Sequence, residues 1–102
     1  MNFLVVAHDS ADGDTLAKRA SLRDEHQKGV ISYVQSNKLL DGGVIIVTGN
    51  PVGSALLFDV PDRKTLDAII AADPYMKAGV WDRIEIYELA RPDPAAMRSL
   101  KD

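Results

Sequence analysis

The order in which short branched runs alternate with longer helical segments constrains this fold more than any other feature of the chain. Residues Phe3 to Ala7 are apolar, rich in branched side chains and followed by a polar loop, which predicts a strand. Val44 to Val47 and Ala55 to Val60 are too short and too branched for helices and predict two more strands. Between them, Thr48 to Gly53 carries residues that turns prefer, so these two strands should form a hairpin.

A long helix is predicted between the first two strands. The segment from Thr15 to Asn37 contains no proline and has Asp14 or Thr15 available as its N-cap. Asp41-Gly42-Gly43 should end this element before the second strand. Its predicted buried stripe consists of apolar residues at helical intervals, namely Leu16, Ala20, Val30, Ile31 and Val34.

A second helix and a last strand complete the pattern. Asp62 is the predicted N-cap of this helix, and Asp73-Pro74 should end it. Its predicted buried side contains Leu66, Ala68, Ile69 and Ile70. The last strand is predicted from Ile84, Ile86, Tyr87 and Leu89. The order is then β-α-β-β-α-β, which predicts an α+β fold of the ferredoxin-like type.

The chain is predicted to form one domain, residues 1–90, followed by a C-terminal extension, residues 91–102. A chain of 102 residues has the usual size of a single domain and is long enough to bury a core. The extension begins with two closely spaced prolines and has little periodicity. We expect it to lie outside the domain, with a short helix lying on a partner as its candidate structure.

Both predicted helices should lie on one face of the sheet and leave the other face uncovered. Strands as apolar as these are costly to expose to water. A second copy of the chain is the simplest cover, because two sheets facing each other make a barrel-like pair with two-fold symmetry. We therefore expect a homodimer, with a higher oligomer as the alternative.

Composition excludes several classes of function. The chain has no cysteine, which rules out disulfides, thiolate zinc sites and cysteine nucleophiles. Its formal net charge is -3 and its basic residues are scattered among acids, so we expect no nucleic-acid partner. The first strand has no basic leader, and no run approaches the roughly 18 apolar residues of a membrane-spanning helix. We expect a soluble, cytoplasmic protein without a membrane partner.

The first helix carries two ionisable residues close to its predicted apolar stripe. Arg23 projects into that stripe, and His26 lies at its edge, one turn before Val30. A buried arginine needs an anion or a polar partner, so Arg23 favours a lined cavity. In the alternative interpretation, Arg23 extends to solvent and His26 is a half-exposed surface residue.

Asp73 falls on the predicted buried face of the second helix. It follows Leu66, Ile69 and Ile70 at helical intervals, which places an acid at the buried end of the helix. The alternative is that Asp73-Pro74 only stops the helix, because the residue before proline resists the helical region. A histidine with a carboxylate is the usual apparatus for proton transfer near neutral pH, so His26 and Asp73 are the candidate catalytic residues.

Two segments resemble the signature segments of the YciI-like, or YCII-related, family. One contains Arg19, Arg23 and His26, and the other is Asp73-Pro74-Tyr75 with Ala78-Gly79 after it. Smaller matches are His8-Asp9 after the first strand and Gly53-Ser54 before the third, so the resemblance extends to about Leu89.

The resemblance implies a dimeric α+β barrel fold, shared with small lactone isomerases and cofactor-free oxygenases. It also implies a His-Asp active site at His26 and Asp73, and no cofactor. We expect the substrate-binding residues to be Arg23, Arg19, His8 and Tyr75. Tyr75 and Trp81 should lie close to the pocket or to the dimer seam.

Our leading hypothesis is a cofactor-free enzyme that transfers protons on a small anionic or ring-shaped metabolite, by isomerisation, elimination or hydrolysis. His26 would be the general acid or base, Asp73 would orient it, and Arg23 would bind negative charge. The alternative is a non-catalytic dimeric protein that binds a small molecule. A metal site has suitable residue types but no tight ligand spacing, so we expect no metal. Its candidate ligands would be His8, Asp9, His26 and Asp73.

Overall fold

The computed structural model describes residues 1–100, which form a four-stranded antiparallel sheet with helices. Its strands, in chain order, are β1 (Asn2–Asp9), β2 (Leu39–Val47), β3 (Asn50–Asp59) and β4 (Trp81–Leu89). Its helices are α1 (Thr15–Gln35), α2 (Arg63–Ala72), α3 (Pro74–Lys77) and α4 (Pro94–Arg98). The sheet order is β2-β3-β1-β4, so the predicted ferredoxin-like α+β fold is confirmed.

The hairpin of β2 and β3 is longer than predicted. Its turn is only Thr48-Gly49, and both residues have positive φ, 50° and 80°. Such a two-residue turn matches the twist of the strands that it joins. Pairing therefore continues to Val47 opposite Asn50, through residues predicted to be loop. At the other end, Asp41 and its neighbouring glycines lie inside β2, because ladder hydrogen bonds use the backbone and do not require branched side chains.

The packed face of α1 differs from the predicted stripe. Thr15 and Arg19 are buried, and Leu22, His26 and Tyr33 are partly buried against the core. Val30 is partly buried against the core, as predicted. Leu16, Ile31 and Val34, also predicted as buried, are 55%, 54% and 52% exposed. An apolar criterion misses part of this face because Arg19 and His26 are polar side chains whose hydrogen bonds are satisfied by Asp9 and Asp73.

The start of α2 agrees with the prediction. Asp62 is the N-cap, and its carboxylate accepts a hydrogen bond from Thr65 N at 2.8 Å. This bond lowers the pKa of Asp62 below its ordinary value. Leu66 and Ile70 are buried, whereas Ala68 faces solvent. The helix ends at Ala72, one residue before Asp73.

The core lies between the helices and one face of the sheet. Phe3, Val5 and Ala7 of β1 alternate into it and meet Phe58 of β3 and Leu66 of α2. The side chains between them, such as Leu4 and Val6, point to the opposite face and are only half-buried. Cover of that face by a second copy stays a prediction.

After β4, the predicted extension contains the short helix α4, which has no buried residue. The last two residues of the extension lie outside the described part of the chain. Within residues 1–100, no helix is both long enough and apolar enough to cross a membrane.

Candidate functional site

The two candidate catalytic residues are in direct contact, although 47 positions separate them in sequence. His26 Nδ1 lies 2.9 Å from Asp73 Oδ1 and 2.8 Å from Asp73 Oδ2. Their side chains are only 13% and 17% exposed. An ionised carboxylate can only accept hydrogen bonds, so Nδ1 donates. In a neutral ring this assigns the proton to Nδ1 and leaves the lone pair on Nε2.

The position of Asp73 follows from the proline after it. Asp73 has φ -68° and ψ 132°, an extended conformation that residues before proline favour. It ends α2 and is the N-cap of α3, where its Oδ1 accepts a hydrogen bond from Tyr75 N at 2.8 Å. Both interpretations of Asp73 from the sequence therefore apply. The residue stops one helix and also directs its carboxylate at His26.

Two aromatic rings hold the imidazole of His26. The ring of Tyr75 stacks on it with centroids 4.1 Å apart and planes at 14°. Trp81 contacts it edge-on, with centroids 5.6 Å apart and planes at 87°. Tyr75 and Trp81 are themselves buried and in contact. Side chains packed on two sides restrict rotation of the imidazole and keep Nδ1 facing Asp73.

Tyr75 remains a neutral phenol around neutral pH. Burial raises the pKa of its hydroxyl above the ordinary 10.0, although the Arg19 guanidinium opposes part of this effect. The hydroxyl donates a hydrogen bond to Arg19 O at 3.3 Å. Tyr75 was expected to bind substrate. It lines the cleft described below, and it also supports His26 directly.

Arg19 is engaged by the protein itself. Its Nε and Nη2 donate to the Asp9 carboxylate at 2.5 and 3.1 Å, and Nη2 also lies 3.2 Å from Gly53 O and 3.4 Å from Ser54 Oγ. The guanidinium carbon lies 5.0 Å from the centre of the Tyr75 ring. These contacts fix α1 to β1 and β3. This geometry favours a positioning role for Arg19. Arg19 also lines the cleft described below, so the expected contact with substrate stays a prediction.

A cleft of about 760 Å³ opens between α1 and the β2-β3 hairpin. Arg23 and His26 line it beside Tyr75, and Asp73 lies behind His26, outside the lining. Arg23 is exposed and forms no hydrogen bond or ion pair with the other residues among positions 1–100. The interpretation that Arg23 extends to solvent was correct about its exposure. The side chain nevertheless borders a cavity, as the interpretation of a lined cavity required.

His8 does not join this cluster. It follows Ala7 on β1, so its side chain points to the opposite face of the sheet, where Nε2 contacts Glu85 Oε1. Glu85 also accepts a hydrogen bond from the Tyr87 hydroxyl. These bonds hold the pKa of Glu85 below its ordinary value, and the bond to Glu85 raises the pKa of Tyr87. The expectation that His8 lies beside Arg23 is not met in this chain, because strand alternation separates the two faces.

The residues considered for a metal site are likewise not gathered in one place. Within residues 1–100, no group of three or more histidine and acidic side chains is arranged to hold a metal ion. Asp9 binds Arg19, and His26 binds Asp73. Ser54 was not predicted as part of this region, and Asp9 was predicted there only as a ligand in the metal alternative. Their only sequence signal was that each stands at a strand position within a segment matching the family pattern.

The fold is similar to several solved structures. The 5-chloro-2-hydroxyhydroquinone dehydrochlorinase TftG from Burkholderia phenoliruptrix AC1100, in complex with 2,5-dihydroxybenzoquinone, gives a TM-score of 0.79 at 19% identity, over 90% of this chain and 96% of that one. A conserved protein from Methanosarcina mazei Go1 gives 0.50 at 21% identity, over 85% and 91%. An antibiotic biosynthesis monooxygenase gives 0.52 at 15% identity, over 90% and 100%. At these identities the similarity shows the fold alone.

The sequence itself matches one family model. No curated protein sequence matches the chain, but the model of the YCII-related domain matches residues 1–90. The match includes the segment from Arg19 to His26 and Asp73-Pro74-Tyr75, the residues that form the cluster described above. The chain therefore belongs to the YCII-related domain family.

Proposed function

We propose that this chain is an enzyme that transfers protons on a small anionic metabolite without a cofactor, in an isomerisation, elimination or hydrolysis. The observation that carries the proposal is the contact between His26 Nδ1 and Asp73 Oδ2 at 2.8 Å, next to an open cleft. A carboxylate that accepts a hydrogen bond from Nδ1–H fixes the tautomer and stabilises the imidazolium formed when Nε2 takes up a second proton. His26 is then the general base or acid, and Asp73 orients it.

The surroundings of the pair support this assignment of roles. His26 lines the cleft and Asp73 lies behind it, so Nε2 is the ring nitrogen accessible to a ligand. Arg23, one turn earlier on α1, lines the same cleft and has its guanidinium free for an anion. Tyr75 keeps the ring in place by stacking. One face of the cleft therefore combines a base with a cation that can hold negative charge on the substrate.

The structural neighbour adds support for one of the three reaction types. TftG is named as a dehydrochlorinase and was solved with 2,5-dihydroxybenzoquinone. Dehydrochlorination is an elimination, in which a base removes a proton while a leaving group departs. At 19% identity the neighbour shares the fold, and its reaction is a guide to which compounds to test first.

The experiment measures exchange of substrate protons for deuterium in D2O. The panel contains anionic ring compounds and carbon acids, such as hydroxyquinones, lactones and β-keto acids, and NMR and mass spectrometry detect exchange and products. On an active compound, His26→Ala and Asp73→Asn should each lower turnover by roughly 10² to 10⁴ and leave the fold intact. The double variant should lose little more, because the two residues act as a unit. Arg23→Leu should mainly raise KM. Asp67→Asn, an exposed carboxylate on α2, is the control.

The opposite outcome would identify the alternative function. If both the histidine and the aspartate variants turn over an active compound as fast as the wild type, proton transfer by this pair is wrong. If compounds bind in the cleft but none exchanges or reacts, a non-catalytic dimeric binding protein becomes the better description.

A further inference from the structure

The cleft is far more apolar than a site for a small polar anion requires. One wall belongs to α1 and the other to β2, and six apolar side chains that line them are Leu16, Val30, Val34, Leu40, Val44 and Ile46. Val44 and Ile46 of β2 are 52% and 56% exposed, although they lie on the side of the sheet that carries the helices. Val34 of α1, across the cleft from them, is 52% exposed. These side chains gain from contact with an apolar group that displaces water from them.

Charge is distributed unevenly along the same cleft. Arg23 and His26 stand on the α1 wall, beside Tyr75. Within the part of the chain that the structure describes, the only carboxylate that lines the cleft is Asp41 on the β2 wall. Its Oδ1 accepts a hydrogen bond from Gly42 N at 2.8 Å. An anionic group is therefore favoured at the α1 wall and disfavoured beside β2.

The size of the cleft also exceeds that of a minimal substrate. Its volume is about 760 Å³, within the range of roughly 300 to 1,000 Å³ that is typical of sites for drug-sized ligands. Concave shape, apolar walls and a few polar groups gathered at one position are the usual features of small-molecule sites. A flat surface for another protein would not need a base and a cation in its wall.

We propose that the ligand of this cleft is an amphiphilic monoanion. Its carboxylate or phenolate head lies at Arg23 and His26, and a neutral aromatic or aliphatic arm extends between α1 and β2 against Val44 and Ile46. This substrate class rests on the proposed function only for the head, where proton transfer takes place. The arm contacts determine specificity through apolar burial.

The test is a binding series of 4-alkylbenzoates, from benzoate to 4-butylbenzoate, measured by titration calorimetry. Trp81 fluorescence is a second signal, because this single tryptophan contacts His26. Each added methylene should tighten binding about threefold to fourfold, the effect of burying one CH₂. The matching 4-alkylbenzamides, which are neutral, should bind about tenfold or more weakly, because they cannot form a charge-assisted bond with Arg23.

Two variants of β2 localise the arm. Val44→Asn should reduce the gain per methylene, because Val44 lines the cleft. Val47→Asn is the matched control: Val47 is on the same strand and 55% exposed, against 52% for Val44, but it does not line the cleft. Val47→Asn should keep the wild-type gain in affinity per methylene. Arg23→Leu should abolish the preference for benzoates over benzamides and leave the gain per methylene unchanged.

Two outcomes would overturn the inference. One is an affinity that does not change with alkyl length in the wild type. The other is an equal loss of the affinity gain per methylene in Val44→Asn and Val47→Asn, which would indicate a global effect of the substitutions. Failure of this inference can be distinguished from failure of the proposed function, because ligand binding is measured without turnover. A series that shows the expected gain while His26→Ala retains full turnover would refute proton transfer and keep the amphiphilic ligand.

Discussion

Replacing Arg19 by methionine should lower the free energy of unfolding by about 3 to 5 kcal/mol, the usual result of removing one partner of a buried ion pair. The side chains of Arg19 and Asp9 are 9% and 6% exposed, so the carboxylate left behind has little access to water. Methionine preserves an unbranched side chain of similar length and removes the guanidinium. The expected loss thus arises from unpaired polar groups and not from a large cavity.

The contacts of Arg19 explain why the loss should be large. The variant removes two hydrogen bonds to Asp9 and two longer ones, to Gly53 O at 3.2 Å and Ser54 Oγ at 3.4 Å. Domains of this size are stable by about 5 to 15 kcal/mol, so the change is a substantial fraction of the total. At about 4 to 8 °C per kcal/mol, Tm should fall by more than about 12 °C.

The assay is urea unfolding followed by circular dichroism, at one fixed protomer concentration because association would add to the apparent stability. Arg63→Met is the control. Arg63 forms an exposed pair with Asp67, with both side chains more than half exposed, and its loss should cost under about 0.5 kcal/mol. The double variant Arg19→Met with Asp9→Leu should recover part of the stability, because it leaves no buried charge.

A loss below about 1 kcal/mol in Arg19→Met, together with weaker binding of ligand, would refute this reasoning. Arg19 would then contact the substrate, as the sequence first indicated. Loss of stability with recovery in the double variant would establish the positioning role.

Four further predictions concern the site, its pH dependence and the assembly. Asp73→Ala should be about 1 kcal/mol less stable in urea than Asp73→Asn, because asparagine can still cap α3 by accepting from Tyr75 N; equal stabilities would contradict the capping role. The raised pKa of Tyr75 means that its contribution to stability is complete below about pH 10 and is lost as the pH rises through the raised value. Alkaline unfolding of Tyr75→Phe should therefore be less steep than that of the wild type, and identical pH profiles would be evidence against a buried phenol. Sedimentation at micromolar concentration should give twice the 11.1 kDa mass of the chain, and a soluble monomer would disprove the homodimer. His8→Ala should leave turnover unchanged, because His8 lies on the face of the sheet opposite the helices. A large loss of turnover would place His8 in the active site.

The elements could be predicted from local sequence where side chains carry the signal. Asp62 capped a helix as expected, because a cap is a contact within three residues. The hairpin was predicted too short, since pairing of β2 and β3 depends on a turn at Thr48-Gly49 and on backbone bonds that polar and glycine residues make equally well. Composition and spacing do not contain that information.

The pair of His26 and Asp73 was likewise predictable in part from local sequence and in part only from tertiary packing. His26 and Asp73 were identified because each is an ionisable residue near an apolar stripe and matches a family position. Their contact depends on how α1 packs against the junction of α2 and α3, and no local pattern describes that packing. The predicted apolar stripe of α1 was only partly correct. Val30 packs against the core, whereas Leu16 and Val34 are exposed and line the cleft. The buried position is instead Arg19, because its partners come from β1 and β3.

The order of the strands and the two main helices, the two ends of α2 and the residue types available for proton transfer were determined by the sequence alone, because each depends on neighbours within a few positions. Tertiary structure decided which of these residues meet. It directed Arg19 to Asp9, placed His8 on the far face of the sheet and left Arg23 free in an apolar cleft. The reason is that burial and pairing depend on distances between elements remote in sequence, which are set by strand order and helix packing.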